Sequence, residues 1–300
     1  MTIKDASTNP TLDYATVGSA LAKVPAVTLG FWIIKILATT LGETAGDSVS
    51  MSWLGETTGE ANGWGYLIGS AIFVSILVVL VVLQIRAMKF HPLLYWATII
   101  ASTTAGTTMA DFATRSMGIG YAGGSTLLLI LVLLSLAAWK FWLGSVSVQS
   151  VHEPKAELFY WITITFSQTL GTALGDWTAE TTPFRWIRPM CAAVGLNLGD
   201  GYADDDELGF LLAAILFATL LLIIAVAYYA TRINRVLLFW AAFILTRPLG
   251  AAVGDWLDKP IARGGLNFSR PIASLVLAVA IAALIFLIPQ RAEAKRTNPA

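Results

Sequence analysis

Four aspartates, Asp47, Asp111, Asp176 and Asp255, each stand fifteen residues after a tryptophan that follows another aromatic residue, in the pairs Phe31-Trp32, Tyr95-Trp96, Tyr160-Trp161 and Phe239-Trp240. Ten residues after each Trp is a glycine, Gly42, Gly106, Gly171 or Gly250, and four further on a small residue, Gly46, Ala110, Gly175 or Gly254. Four matches at three fixed offsets mark an internal repeat. A carboxylate inside an apolar segment can hold a proton or a cation, so the repeated acid is the first candidate for chemistry.

Residues four apart share a helix face, so positions 3, 7, 11 and 15 after each Trp form one stripe. The stripes read Lys35, Thr39, Glu43, Asp47; Ile99, Thr103, Thr107, Asp111; Ile164, Gln168, Thr172, Asp176; and Phe243, Arg247, Ala251, Asp255. Facing lipid, these polar groups would lack partners, so the stripes are expected to converge on the protein interior or on a wet cavity. The small residues beside them allow helix backbones to approach closely. Five acids, Glu43, Asp47, Asp111, Asp176 and Asp255, stand against two bases, Lys35 and Arg247, which are read as their charge partners. A charge at the bilayer centre costs from about 2.5 to above 10 kcal/mol, so the excess must be met by protons, bound cations or water.

The elements that must hold these stripes follow from hydropathy. The chain is 56% apolar and 13% charged, with mean hydropathy +0.71, whereas soluble domains are roughly a quarter charged. Apolar segments fall at about 25–50, 63–86, 92–115, 121–143, 157–180, 207–230, 234–257 and 267–289, each near the ~20 helical residues that cross a hydrocarbon core. At this hydrophobicity helices satisfy their own backbone and a barrel is not a serious competitor. The prediction is an all-α polytopic membrane protein, one membrane domain over 1–300, with about eight transmembrane helices. They form four parallel, pseudo-symmetric helical hairpins, with repeats at approximately 24–88, 89–150, 151–231 and 232–290. Odd helices are expected inside and even helices outside.

The polar leader, MTIKDASTNPTLDYATVGSALAK, lacks the apolar core of a signal peptide. Eleven Lys and Arg flank the termini and the even connections, against six in the odd connections, which also hold the acidic run Asp204, Asp205, Asp206 and Glu207. By the positive-inside tendency both termini are cytoplasmic in a cell inner (plasma) membrane. A looser echo, GWGY at 63–66, GIGY at 118–121, GDGY at 199–202 and GLNF at 265–268, precedes the even helices and belongs to loops. The tryptophans are read as an interfacial belt or as packing residues, and Pro248 as a kink beside Arg247.

On the aromatic–Trp pairs, the glycines and the aspartates, and on segments such as KVPAVTLGFWIIKILATTLGETAGD and FWAAFILTRPLGAAVGDWLDKP, the sequence resembles a family of bacterial membrane proteins. That family is defined by a four-fold repeat of unknown function, each repeat having two transmembrane helices and a signature Trp. The resemblance covers nearly the whole chain and implies architecture; it brings no substrate.

Balanced charge, 19 basic and 19 acidic residues, gives no reason to expect a nucleic-acid partner. The single Cys191 excludes an internal disulfide and a Cys-based metal cluster. There is no GxxxxGK[ST] element for ATP. The expected partners are membrane lipid and a small cation substrate, and no enzyme activity or cofactor is expected beyond a bound divalent or alkali cation. The stripes offer Thr39, Thr103, Thr107, Gln168 and Thr172 with the five acids, a hard oxygen donor set suited to protons, Mg or Mn rather than copper or zinc. The leading reading is a secondary transporter or exporter of a cation. Two alternatives remain. One is a structural or partner-binding membrane protein, using the connection 181–206. The other is an intramembrane aspartyl protease built on the Gly-Asp steps at Asp176 and Asp255, which lacks that class's partner motifs.

Overall fold

The computed structural model describes residues 21–56, 63–148, 151, 153–180, 209–261 and 264–294. Cys191, the acidic run at 204–207, the GDGY element and the 181–206 connection lie outside the described residues. Eight α-helices are described: α1 (Leu29–Asp47), α2 (Trp64–Arg86), α3 (Pro92–Asp111), α4 (Gly120–Leu143), α5 (Pro154–Glu180), α6 (Gly209–Ala230), α7 (Arg235–Asp258) and α8 (Arg270–Leu287). The sequence sets their starts. Thr28 Oγ1 accepts from the Phe31 amide at 3.2 Å, and Asn234 Oδ1 accepts from the Val236 and Leu237 amides at 2.8 and 3.3 Å, satisfying amides that have no partner within the helix. Prolines begin α3 and α5, where a missing N–H costs nothing.

Five helices, α2, α4, α6, α7 and α8, are long and apolar enough to cross a membrane. The other three are those whose polar stripes lower their hydropathy. Inner helices α1, α3, α5 and α7 pack side by side in a closed ring, each on the next and α7 back on α1. The outer helices shield them: 11–22% of the apolar window in α2, α4, α6 and α8 is buried, against 61% in α7. The remaining apolar side chains on the outer helices, such as Ile72, Ile76, Val79, Leu133 and Val279, point outward, as lipid-facing surfaces do.

The outer helix of each repeat does not lie chiefly along its own inner helix. It leans on that of the following repeat: α2 on α3, α4 on α5, α6 on α7, and α8 on α1. In the first two repeats the chain makes this offset as it leaves the inner helix. After Asp47 and Asp111 the backbone widens into π-helical turns, Ser48–Trp53 and Phe112–Ser116, and then turns through left-handed glycines, Gly63 at φ 82° and Gly118 at φ 69°. Two short strands, β1 (Leu21–Pro25) and β2 (Ala292–Ala294), pair antiparallel and bring the terminal segments together at the aromatic end of the ring.

The repeat offsets become contacts between neighbours. The first aromatic of each pair meets the tryptophan of the next repeat: Phe31 with Trp96 at 5.5 Å between ring centroids, Tyr95 with Trp161 at 5.8 Å, Tyr160 with Trp240 at 6.3 Å, and Phe239 with Trp32 at 5.9 Å. The tryptophans therefore pack the end of the bundle, and Trp96 and Trp161 are fully enclosed. Each such aromatic pair contributes about 0.5–1.5 kcal/mol beyond its area, which matters where lipid gives helices no hydrophobic reason to associate.

The glycines follow the same rule one layer deeper. Any side chain on Gly42 would strike Thr103, one on Gly106 would strike the Gln168 backbone, one on Gly171 would strike Arg247, and one on Gly250 would strike Thr39. Each repeat thus admits the stripe residue of the next, and the last admits that of the first. Gly106→Ala would place its Cβ 2.9 Å from the Gln168 carbonyl carbon, and forcing two backbones apart costs about 1–3 kcal/mol. The expected result is a lower melting temperature in detergent for Gly106→Ala. Gly123→Ala on α4, whose Cβ would meet only the Ile119 Cγ2 methyl at 3.1 Å and nothing on another helix, should cost less.

Candidate ion-binding core

All sixteen stripe positions belong to the four inner helices, and their polar members line one polar column along the ring axis. From the level of Lys35 to that of Asp47 is twelve residues, or about 18 Å at 1.5 Å per residue. Thr39, Thr103, Thr107, Gln168 and Thr172 are fully buried, as are Lys35, Glu43, Asp47, Asp111, Asp176, Arg247 and Asp255. The aromatic ring closes one end, where the Tyr95 and Tyr160 hydroxyls meet at 2.7 Å.

At the middle, Arg247 reaches all three other inner helices. Its Nη2 donates to Glu43 Oε2 at 2.8 Å on α1, to Thr107 Oγ1 at 2.5 Å on α3 and to Thr172 Oγ1 at 2.5 Å on α5. Its Nη1 donates to the Thr39 carbonyl at 3.5 Å. The glycine at 171 makes room for the arginine stem, whose Cβ and Cγ fill the space where a side chain would begin. Pro248 lies within α7 immediately beyond it, and its missing N–H leaves the Ile244 carbonyl without a helical donor.

At the aspartate level the four acids are tied in two pairs. Arg115 Nε donates to Asp111 Oδ1 at 2.9 Å and its Nη2 to Asp176 Oδ2 at 3.3 Å. Lys259 Nζ donates to Asp47 Oδ2 at 2.9 Å and stands 2.8 Å from Asp255 Oδ1 and 3.9 Å from Asp258 Oδ1. Arg270 completes that side, 3.1 Å from Asp258 and 3.8 Å from Asp47. Each clasp has one logic: a cation four residues beyond the aspartate of an even repeat folds back on it and reaches the aspartate of the next repeat.

This corrects the expected charge balance. Arg115, Lys259 and Arg270 are not loop charges turned to water; they enter the acid layer. Among the described residues, with Asp258 added and every group counted as ionised, six carboxylates face five basic groups along the column, a formal surplus of one negative charge rather than three. A second correction concerns Lys35. It is no charge partner of the acids: its Nζ lies 4.2 Å from the centre of the Phe243 ring and has no hydrogen-bond acceptor among the described residues. The Glu43 level is two helical turns away, about 12 Å along the axis. A desolvated cation–π contact contributes about 2 kcal/mol, less than the several kcal/mol that burying an ion costs.

Asp258 was missed because it lies just past the apolar run, and Arg115, Lys259 and Arg270 because they were counted as charges of the odd connections. The position four residues past Asp111 and Asp255, basic both times, was the signal available. Glu43, Asp47 and Asp255 each present one oxygen within 4.8 Å of the others in a buried setting, a geometry able to hold a cation. Asp176 and Asp255 are each held by a different cation, which disfavours the shared proton that a protease dyad requires.

A closed ring of parallel repeats around a charged axis, screened by apolar helices, defines a repeat-built polytopic helical membrane protein. Within that class, the chain belongs to the family described as Repeat of Unknown Function (DUF347), whose model matches residues 30–90, 94–142, 159–234 and 238–289. No curated protein and no solved structure matches the chain.

Removing one member of a buried ion pair leaves the other charge unanswered and costs about 3–5 kcal/mol. Arg247→Met should therefore be among the most destabilising single changes, and adding Glu43→Gln should recover much of the loss. Arg115→Met should cost less, since that side chain is 31% exposed and Arg247 is fully buried. Thermal unfolding of the four proteins in one detergent gives the order directly.

Proposed function

We propose that the protein is a secondary transporter of a small cation, proton-coupled or carrying a hard divalent ion such as Mg or Mn, in the cell inner membrane with both termini cytoplasmic. The observation that carries this reading is the buried carboxylate group Glu43, Asp47 and Asp255, whose oxygens lie within 4.8 Å of one another. Two of the three are held by one ammonium, Lys259. Hard divalent cations prefer oxygen ligands, and these acids with the neighbouring threonine hydroxyls supply them.

Lys259 stands where such an ion would bind, so the chain's own cation and the substrate compete for the same oxygens. An ion with two charges displaces the ammonium, and its departure lets Lys259 return, which keeps the buried acids answered in both states. Arg115 serves the pair Asp111 and Asp176 in the same manner on the other side of the ring. The polar column gives the ion a path, and the Tyr95–Tyr160 contact closes it at one end. On this reading the protein is a carrier and not an enzyme, its partners are lipid and the cation, and the driving force is an ion gradient.

Asp255→Asn keeps the shape of the site and removes a charge, so divalent-ion flux into proteoliposomes should fall by about tenfold or more, the equivalent of one charge-assisted contact. Asp47→Asn should act alike. Fluxes of Mg, Mn and protons that equal those of the parent in both variants would make the acids structural and favour a scaffold.

A further inference from the structure

A cation that takes the oxygens of Asp47 and Asp255 must first move the Lys259 ammonium, and burial limits where that charge can go. Lys259 Nζ lies 2.9 Å from Asp47 Oδ2, 2.8 Å from Asp255 Oδ1 and 3.9 Å from Asp258 Oδ1. The first two distances are direct contacts and the third is just short of one. Asp258 Oδ1 is buried and has no hydrogen-bond partner among the described residues. The other oxygen of that carboxylate, Oδ2, accepts from Arg270 Nε at 3.1 Å, and Arg270 Nη1 donates in turn to Ser52 Oγ at 3.3 Å. The carboxylate is thus held from one side, with its unused oxygen within reach of the ammonium.

The two clasps differ in what a displaced cationic group can do. The Lys259 side chain is 8% exposed, against 31% for Arg115. Arg115 can turn to water, whereas Lys259 needs an acceptor inside the protein, because a buried charge without a partner is strongly disfavoured. Three residues past Asp255 stands Asp258, but three past Asp111 stands Thr114, whose hydroxyl donates to the Ala110 carbonyl at 2.8 Å. Of the two clasps, the enclosed one is the one with an acid beside it. Asp258 is also not one of the oxygens grouped to hold an ion: those within 4.8 Å of one another belong to Glu43, Asp47 and Asp255.

We propose that Asp258 is the seat of the displaced Lys259 ammonium, a positioning residue for cation binding that does not itself touch the ion; this rests on the cation reading. With no ion bound, Lys259 bridges Asp47 and Asp255. When an ion binds, rotation of the flexible four-carbon stem brings Nζ onto Asp258 Oδ1, and the α7 backbone need not move. Arg270 and Ser52 keep the carboxylate in place in both states. The ammonium changes partners without losing its proton or reaching water.

The test measures Mn affinity by calorimetry on the full-length protein in detergent, for the parent, Asp258→Asn, Lys259→Met and the double variant. Asp258→Asn should weaken Mn binding by about tenfold, the equivalent of one charge-assisted contact, and Asp258→Glu should restore it. In the Lys259→Met background there is no ammonium to seat, so Asp258→Asn should change the affinity little. Crystals of the parent soaked in Mn decide the matter even if the lysine variant does not fold: Lys259 Nζ should lie against Asp258 Oδ1, with the metal on Glu43, Asp47 and Asp255. An equal loss in both backgrounds, no loss in the parent, Mn coordinated by Asp258, or Lys259 still bridging Asp47 and Asp255 with Mn bound would overturn the proposal. Absence of Mn binding in every one of the proteins would overturn the cation reading and this proposal with it.

Discussion

The guanidinium of Arg247 bonds to a carboxylate and two hydroxyls on three different helices, and the ring is organised around that contact. A charge this deep is stable only where its partners are placed for it, so the helices that carry Glu43, Thr107 and Thr172 must all come within one side chain of α7. They can do so only because a glycine stands opposite each intruding stripe residue. Close approach and buried charge therefore depend on each other. The glycines bring the helices near enough for the polar groups to meet, and the polar contacts supply attraction that lipid cannot.

From that layer the column divides into two chemical halves. On one side lie Lys35 and Gln168, whose polar atoms have no hydrogen-bond partner among the described residues; on the other lie the aspartates clasped by Arg115 and Lys259. Arg247 lies between them, with its Nη2 on the acid side, its Nη1 on the Thr39 carbonyl and its Nε without a partner among the described residues. The π-helical turns after Asp47 and Asp111 sit at the acid end, where a widened backbone is a frequent companion of functional sites.

Much of this was legible in the sequence because a repeat converts spacing into geometry. The offsets from each Trp to a glycine and to an aspartate gave the inner helices, the shared stripe and its buried character at every position from Lys35 to Asp255. What could not be read is how one repeat meets the next. Nothing in one dimension says that α2 leans on α3 or that α8 closes on α1. The charge count assigned Arg115, Lys259 and Arg270 to the odd connections, although their side chains reach back into the protein. Lys35 was misjudged for a related reason: an acid and a base on one stripe look like partners, while their axial separation keeps them apart.

The alternation of the clasps sets the symmetry of the whole molecule. Arg115 and Lys259 follow the aspartates of the second and fourth repeats, while the corresponding positions of the first and third hold Met51 and Glu180. The aromatic and glycine contacts obey four-fold symmetry, but the two clasps obey only two-fold. A single repeat assembled with three copies of itself would have either four basic clasps or none. A ring closed by such clasps needs two kinds of repeat in alternation, one that supplies the cation and one that only receives it.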